Sequence, residues 1–411
     1  MSVFDDVETS NGELELNAET DAKGRRIAVI RTSDRNTFRT CRRRWAWSSH
    51  LRGNLGSKTL ATPLWAGSGF HFAMEDYHGL CRFAHPVDAL RAYYKATKKF
   101  RPDSLPEDAD DSMIMLESML NYYLKWLARR PDILPTYVVD GVPQVEVNFR
   151  IQIPVSKEDL ARFGYDEVVY SGTIDRIVYD AHTGMLWVLD YKTAKMFNTE
   201  HFQNDSQVTT YVWAARHMYD LPIGGMIYAQ FKKILIEGAR VLKSGHLSTA
   251  QNQSTSSILY MDGILGQYGK WENAPVDVQD FYKGIFANET SRQDAFIRFD
   301  HLPRSDFMCE SEGQKILLEI QDMLNPNLAL YPNPTRDCTK MCPFNGACVS
   351  YDDGGHYQDE LDTTFQPRPK EYDGWRKYIE WPDEMAEKLE AFNWDDEELL
   401  TEVKTGGSEN G

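Results

Sequence analysis

The sequence predicts an α/β fold: a mixed sheet flanked by helices. Two observations predict it. Apolar residues alternate with period two from about Gln144, at Val145, Val147, Phe149 and Ile151, and two more strand-like runs follow at 167–180 and 185–192. These strands are embedded among helical stretches, which is the α/β pattern.

The elements follow in chain order. Residues 1–30 read as a flexible acidic arm. Ser33 is placed to cap a helix running through Asn36, Phe38, Cys41 and Trp45, with Arg35, Arg39 and Arg42 to Arg44 on its polar side. A second helix is expected over 65–80. Residues 86–130 read as mostly helical, with a break around Pro102 to Pro106. After the three strands, a helix fits 203–220 and a strand fits 226–232. Residues 245–295 show no decisive pattern. A helix fits 311–324, and a cysteine group follows it. No internal repeat is visible. The chain divides into the arm, a core over 31–350 and an acidic tail over 351–411, in which 383–403 has the pattern of an amphipathic helix.

Composition bounds the function. The 411 residues carry a net charge of −17, and 42% are apolar, enough for a substantial core. No run approaches the roughly 20 apolar residues of a membrane helix. Met1 to Asn17 is acidic and polar, unlike a secretory signal, so a soluble, cytoplasmic protein is expected. The negative charge is uneven. Tyr351–Gly411 holds 18 acidic against 6 basic side chains, and Met1–Ile30 holds 7 against 3. The middle is nearly neutral, so a nucleic-acid partner and a basic cleft remain compatible with the total. Six cysteines are present, three of them between Cys338 and Cys348. A large chain without an export signal does not call for a disulfide scaffold. Metal or cluster ligation is the better reading. No Gly-x4-Gly-Lys-Ser/Thr motif occurs, so the chain has no evident helicase motor.

The chemistry-bearing residues lie on the paired strands. Gly172-Thr-Ile-Asp175-Arg is on the first and Leu189-Asp190-Tyr-Lys192-Thr on the second. Asp190 and Lys192, two apart, project from one face. Ala181-His-Thr-Gly184 reads as a hairpin loop. Pairing Asp180 with Met185 across it places Asp175 opposite Asp190. Such neighbours have Cβ atoms about 4.5–5.5 Å apart. Two carboxylates that close repel each other unless a cation lies between them, and hard divalent cations such as Mg2+ prefer oxygen-rich surroundings. Lys192 then stands where it can orient or help deprotonate a water, and the cation would stabilise charge on a scissile phosphate. The ordinary alternative is an exposed, charged hairpin face.

Further segments accompany this pair in a fixed order. Gly67-x3-His71-x3-Glu75 on a helix, Glu146 within Gln144-Val-Glu146-Val, Gly172-x2-Asp175-Arg, Asp190-Tyr191-Lys192 and Gln207-x3-Tyr211 together resemble the motifs of RecB-like PD-(D/E)XK nucleases. The resemblance implies a restriction-endonuclease-like core with a helical lobe, hydrolysing DNA with Mg2+ or Mn2+. It implies metal ligation by His71, Asp175, Asp190 and the main-chain carbonyl of Tyr191, with Lys192 as the catalytic lysine. Gln207 and Tyr211 share a helix face and would support the site or touch substrate, with Glu75 and Glu146 in supporting positions. The chain departs from the commonest pattern in having Asp190 where glutamate usually precedes x-Lys. The ordinary alternatives are a core histidine for His71, a surface residue for Glu75 and helix packing for Gln207 and Tyr211.

Cys338-x3-Cys342-x5-Cys348 supplies three thiolates, and Cys41 in Thr40-Cys41-Arg-Arg-Arg44-Trp45 is the candidate for the fourth that a cluster or a tetrahedral zinc needs. The arrangement is similar to iron–sulfur nucleases of the RecB-like class, which include the CRISPR adaptation nuclease, a bacterial helicase–nuclease subunit and bacteriophage homologues. Tyr331-Pro-Asn-Pro334 and Cys342-Pro-Phe344 look like the bacteriophage branch. The resemblance implies a 4Fe–4S cluster, although the commonest trio opens with x2 rather than x3. Zinc at the same sulfurs and free thiols are the alternatives. Bridging Cys41 to the trio would close a long ring around the core, restraining the unfolded chain and coupling site assembly to folding. Cys81 and Cys309 lack spaced partners and read as buried small hydrophobes.

Arg42, Arg43 and Arg44 are expected to offer positive charge to phosphates, with Lys195, Lys232 and Lys233 along the same groove. Trp45, Trp47 and Trp65 read as core, with base stacking the alternative. Resemblance favours exonuclease action on single strands or free ends, in end processing, recombination or replication. The acidic tail, with Trp375, Trp381, Phe392 and Trp394, is expected to be solvated, to dock on a replication or recombination protein, or to cover the groove. The competing function is a catalytically silent DNA-binding or scaffold subunit of the same fold.

Overall fold

Strand formation begins before the expected arm ends. The structure, a computed structural model, describes residues 17–368 apart from 59–61, 80, 101, 103–104, 131–132, 198–201 and 204. Strands β1 (Glu19–Thr20) and β2 (Arg26–Arg31) are antiparallel neighbours. β2 buries Ala28, Val29 and Ile30 because it also pairs, in parallel, with a long central strand. A short continuous apolar run is what a strand covered on both faces looks like. The end of the arm therefore belongs to the fold.

The helix expected to be capped at Ser33 is two helices, and the first is capped by Arg31, with Ser33 inside it. α1 (Thr32–Thr40) and α2 (Arg42–Ser48) meet at Cys41, whose extended backbone ends the first and caps the second, with its Sγ accepting the Arg44 N–H at 3.5 Å. After β3 (Leu55–Ser57) come α3 (Thr62–His78), α4 (Pro86–Phe100) and α5 (Ala109–Leu127), with the proline break falling between the last two. The small hairpin β4 (Val138–Val139) and β5 (Val142–Pro143) leads into β6 (Val145–Gln152). α6 (Lys157–Phe163) precedes β7 (Glu167–Asp180) and β8 (Met185–Ala194). α7 (Ser206–Met218) and β9 (Ile223–Lys232) follow. The undecided span holds α8 (Ser257–Tyr268) and α9 (Val276–Ala287), packed on a small core of Leu247, Tyr260, Ile264 and Val278. Then come β10 (Ile297–Pro303) and α10 (Asp306–Leu324). α11 (Cys338–Met341), α12 (Asn345–Asp352), α13 (Tyr357–Thr364) and β11 (Phe365–Pro367) complete the described chain.

The main sheet runs β1-β2-β7-β8-β9-β10, with β6 also on β7. It is mixed: β7 and β8 are antiparallel, β8 and β9 parallel, β9 and β10 antiparallel. Asp180 faces Met185, the register expected from the loop. β6 lines one edge of β7 across residues 169–176, which places β2 (against 167–171) and β8 (from 176) on the other edge. Residues 172–175 thus lie in a fork between two ladders. Gly172 opens it. A β-carbon there would come within 2.6 Å of both the Phe149 ring and Thr32 Oγ1, so only glycine lets α1 and β6 approach this closely.

Each face of the sheet has its own core. Leu189, Tyr191 and Phe231 pack with Trp65, Phe70, Tyr123 and Trp126 of the helical lobe α3–α5. Val188, Ile177 and Ile30 pack with Phe38, Val212 and Ile316 of α1, α7 and α10. Strand alternation therefore sends Asp190 and Lys192 to the α7 side. Trp45 and Trp65 are fully buried, as expected, and so is Cys309, but Cys81 is not. Cys81 is exposed in the turn after α3, at φ +49°, with its thiol donating to the Tyr77 carbonyl at 3.0 Å. No helix among the described residues is long and apolar enough to cross a membrane.

Arg35, 1% exposed, joins three helices of the second layer. It pairs with Glu312 at 2.8 Å and with Glu319, and donates to Thr210 at 2.8 Å. Removing one member of a buried pair strands the other's charge, at a cost of about 3–5 kcal/mol. Arg35→Leu is expected to lower the unfolding free energy by that amount in a urea titration. A change below about 1 kcal/mol, the level of an exposed pair, would show that the network contributes little.

Candidate active site and cysteine cluster

Three elements converge at the fork. α3 supplies His71, β6 supplies Glu146 and β7 supplies Asp175. His71 Nδ1 lies 3.5 Å from Asp175 Oδ2 and 3.9 Å from Glu146 Oε1. Among the described residues, these are the only three of the His, Cys, Asp and Glu side chains that bring one ligand atom each within 4.8 Å of one another. Glu146 reaches the group through an unusual backbone, with φ at +45°, and the β6–β7 ladder skips it between Val145 and Val147. A non-glycine residue in that region is held there by its surroundings at a cost of about 1–3 kcal/mol, and such strain gathers at functional sites. The sequence places Glu146 in a supporting role, whereas the geometry places its carboxylate among the potential ligands. Glu75, one turn further along α3, is outside the group.

The β7–β8 ladder stops at Arg176 and Leu189. One step beyond, the Asp175 carboxylate accepts the Tyr191 N–H at 2.7 Å, in place of a backbone partner. Asp190 is buried and ion-paired with Lys192, whose Nζ lies 2.7 and 2.8 Å from its two oxygens. Burial, with the charge of Asp175, outweighs Lys192 and pushes the Asp190 carboxyl up to about 6. For Asp175, burial is overcome by His71, Lys192 and the Tyr191 N–H, so its carboxyl stays below the ordinary value. Burial would depress Lys192, but Asp190 and Asp175 hold its ammonium above the usual range. His71 behaves alike: burial opposes its charge, while Asp175 and Glu146 outweigh burial and raise it. Three carboxylates against one ammonium and an imidazole leave the site electron-rich.

The surroundings brace these groups. Arg176, beside Asp175 in sequence, points to the lobe side and is fully engaged by the Tyr191 hydroxyl (3.2 Å), Thr136 Oγ1 (2.9 Å) and the Leu134 carbonyl (3.1 Å). It locks the Tyr191 ring, on which the His78 ring stacks at 6.3 Å. On the α7 side, Gln207 Nε2 donates to the Tyr211 hydroxyl at 3.3 Å. Burial, followed by the charge of Asp190, raises that phenol, which places α7 against the Asp190–Lys192 pair. Sequence reasoning missed Tyr228. It faces Asp190 across β8–β9, its ring lies 5.9 Å from Lys192 Nζ, and burial pushes its hydroxyl up to about 12. The expected strand over 226–232 was the available signal, but its parallel pairing with β8 is not written locally. Burial and the neighbouring Lys195 charge depress Lys233, so two cations sit together beyond Lys192, where Lys232 pairs with Ala194.

The four spaced cysteines also converge. Cys41, Cys338, Cys342 and Cys348 line one cavity of about 200 Å3 between α2 and the segment from α11 to α12. The Thr335 N–H points to Cys338 Sγ at 3.3 Å, and Arg43 Nη1 lies 3.4 Å from Cys348 Sγ. Arg43 is therefore not available to phosphates as expected. It is buried, pairs with Asp352 at 2.6 Å and lies over the Tyr351 ring at 4.3 Å. Arg42 pairs with Asp322 at 3.4 Å and lies between Phe38 and Tyr331, while Arg44 borders the cavity. The start of the expected tail is also part of this structure. β11 pairs with β3, Phe365 stacks on Phe344 at 4.2 Å, and Trp47 packs against Phe344 and Tyr357. The helix expected over 383–403 and the aromatic residues around it lie outside the described residues.

The sequence model of the PD-(D/E)XK nuclease superfamily matches residues 32–349, from the start of α1 to just past Cys348. No curated protein matches the chain.

Proposed function

This chain belongs to the PD-(D/E)XK nuclease superfamily, and from that premise we propose that it is a metal-dependent DNA exonuclease with its active site at His71, Glu146, Asp175, Asp190 and Lys192. The observation that carries this reading is the His71–Glu146–Asp175 group beside the Asp190–Lys192 pair at the fork of the sheet. Two carboxylates and an imidazole within one ligand radius suit Mg2+ or Mn2+, and the excess negative charge needs such a counterion. His71, Glu146 and Asp175 would hold the cation, with Asp190 and the Tyr191 carbonyl contributing from β8. A bound divalent cation supplies Lewis acidity toward a phosphoryl oxygen and makes water more acidic.

The remaining steps belong to the chain. Lys192, charged and held by Asp190, orients the attacking water and the scissile phosphate. Tyr228 and Tyr211 stand beside Lys192 on the α7 side of the sheet. Lys195, Lys232 and Lys233 extend positive charge along the path of the strand. Action at free ends, in end processing, recombination or replication, follows from the resemblance of the motifs to the RecB-like class. The segments Tyr331–Pro334 and Cys342–Phe344 resemble the bacteriophage branch, and the acidic tail with its aromatic residues suits docking on a replication or recombination protein or covering the groove.

In this reading the four cysteines hold a 4Fe–4S cluster. All four sulfurs border one cavity, which suits a shared metal group, and the resemblance of the cysteine spacing to iron–sulfur nucleases favours a cluster over zinc. N–H and guanidinium donors to sulfur also suit cluster thiolates, whose potential such bonds tune.

The test uses end-labelled linear DNA and covalently closed circles, with Mn2+ or EDTA. Linear DNA is expected to be degraded only with metal, Asp175→Asn is expected to be inactive, and circles are expected to survive. Cutting of circles would make the protein an endonuclease. A folded, metal-loaded protein that binds DNA and cuts neither substrate would favour the silent scaffold.

A further inference from the structure

A second cavity, of about 440 Å3, lies on the lobe-side face of β8, near the hairpin end. That volume is within the roughly 300–1,000 Å3 of small-molecule sites. The mechanism does not use it: Leu189 lines it, while Asp190, the next residue, points to the opposite face. Its floor is apolar and aromatic, built from Leu134, Leu189, Trp187 and Phe299, with His301 beside them. These rings are held in place. Trp187 lies against Gly224, where a β-carbon would come within 2.8 Å of the indole, and meets His301 edge-on at 5.3 Å. Phe299 stacks on Trp126 at 5.1 Å.

The mouth has the opposite chemistry. Arg292 is exposed there, and its guanidinium makes no ion pair or side-chain hydrogen bond among the described residues. Asp180 also borders the mouth, but its carboxylate is committed to the hairpin turn, accepting the Thr183 hydroxyl at 2.8 Å and the His182 N–H at 2.9 Å. The His182 side chain adds a second nitrogen base at the rim.

We propose that this cavity binds a nucleoside phosphate, with the base against Trp187 and Phe299 and the phosphate on Arg292. Every base has a π-face that stacks on aromatic side chains, and the planar guanidinium fork matches phosphate oxygens. A purely apolar ligand would leave Arg292 unused, and a bare anion would leave the rings unused. The same chemistry is offered by a free mononucleotide and by the terminal nucleotide of a strand. The second source rests on the nuclease reading; the first does not.

Isothermal titration of the full chain in EDTA tests this, using dAMP, deoxyadenosine and single-stranded oligonucleotides that end in an intact or an abasic nucleotide. dAMP is expected to bind saturably and about tenfold more tightly than deoxyadenosine. Arg292→Ala and Trp187→Leu are each expected to weaken it by about tenfold, and Lys192→Ala is expected to leave it unchanged. If Arg292-dependent binding appears only with the oligonucleotide bearing an intact terminal base, the ligand is a strand end. Equal dAMP binding by the wild type and Arg292→Ala, equal binding of nucleoside and nucleotide, or no saturable binding by any probe would overturn the proposal. Arg292 is an exposed side chain, so its variant keeps the test informative even if Trp187→Leu folds poorly. Titration without metal reads this cavity independently of cleavage, so it can fail while the nuclease reading stands, and the reverse.

Discussion

Replacing Lys192 with alanine is expected to slow DNA cleavage by at least about a thousandfold, the scale of removing a group that positions a proton or stabilises transition-state charge. Lys192 Nζ contacts the site directly, with Asp190 at 2.7 Å. Its loss has a second, opposite consequence. Asp190 is buried beside Asp175, and both lose their neighbouring positive charge. The empty site then repels itself more strongly and a divalent cation is rewarded more for binding. Mn2+ affinity, read by titration calorimetry, is therefore expected to hold or rise while turnover disappears, with DNA binding largely retained. A misfolded variant would lose metal and DNA together. Wild-type turnover in Lys192→Ala would remove this lysine from the mechanism.

Replacing Cys342 with serine is expected to have the largest effect on stability. Cys342 lines the cavity between Cys41 and the trio, and Phe344, two residues on, packs on Phe365 and Trp47. Ligand bonds to a structural metal group are folding free energy, so removing one is expected to cost on the order of several kcal/mol. The long ring closed through Cys41 is released as well. Anaerobically purified wild type is expected to be brown with one cluster per chain by iron and sulfide analysis, and Cys342→Ser is expected to be pale, poorly soluble and melting well below it. A colourless wild type carrying one zinc would replace the cluster with a tetrahedral site. A stable variant with full iron content would show that Cys342 does not hold the cluster.

The hairpin was the most legible part of the chain. Its register depends on a four-residue loop and on period-two alternation, both local, and Asp180 faces Met185 as those features require. The family motifs on α3, β7, β8 and α7 stand on the expected elements for the same reason. β2 was hidden because its apolar run is short and follows an acidic stretch, so only its parallel pairing with β7 makes it a strand. β10 lies just past the undecided span, whose helices, α8 and α9, bury a small core of their own, and only its pairing with β9 makes it a strand. Arg43 reads as surface charge in a run of three arginines, and only the approach of Cys348 and Asp352, some 300 positions away in sequence, shows it to be internal.

By itself the sequence determined the chemistry available: two acids and a lysine on one hairpin, a histidine on the preceding helix, and four cysteines in two distant groups. Side-chain identity and short-range spacing are sufficient for that. The tertiary structure alone decided which of these groups meet. It turned Glu146 into a neighbour of His71 through a left-handed backbone, set Tyr228 opposite Asp190 and drew Cys41 to the trio. Those outcomes depend on strand order and on packing between segments far apart in the chain. Such contacts form only when the whole sheet and both of its cores are assembled, and no local pattern encodes them.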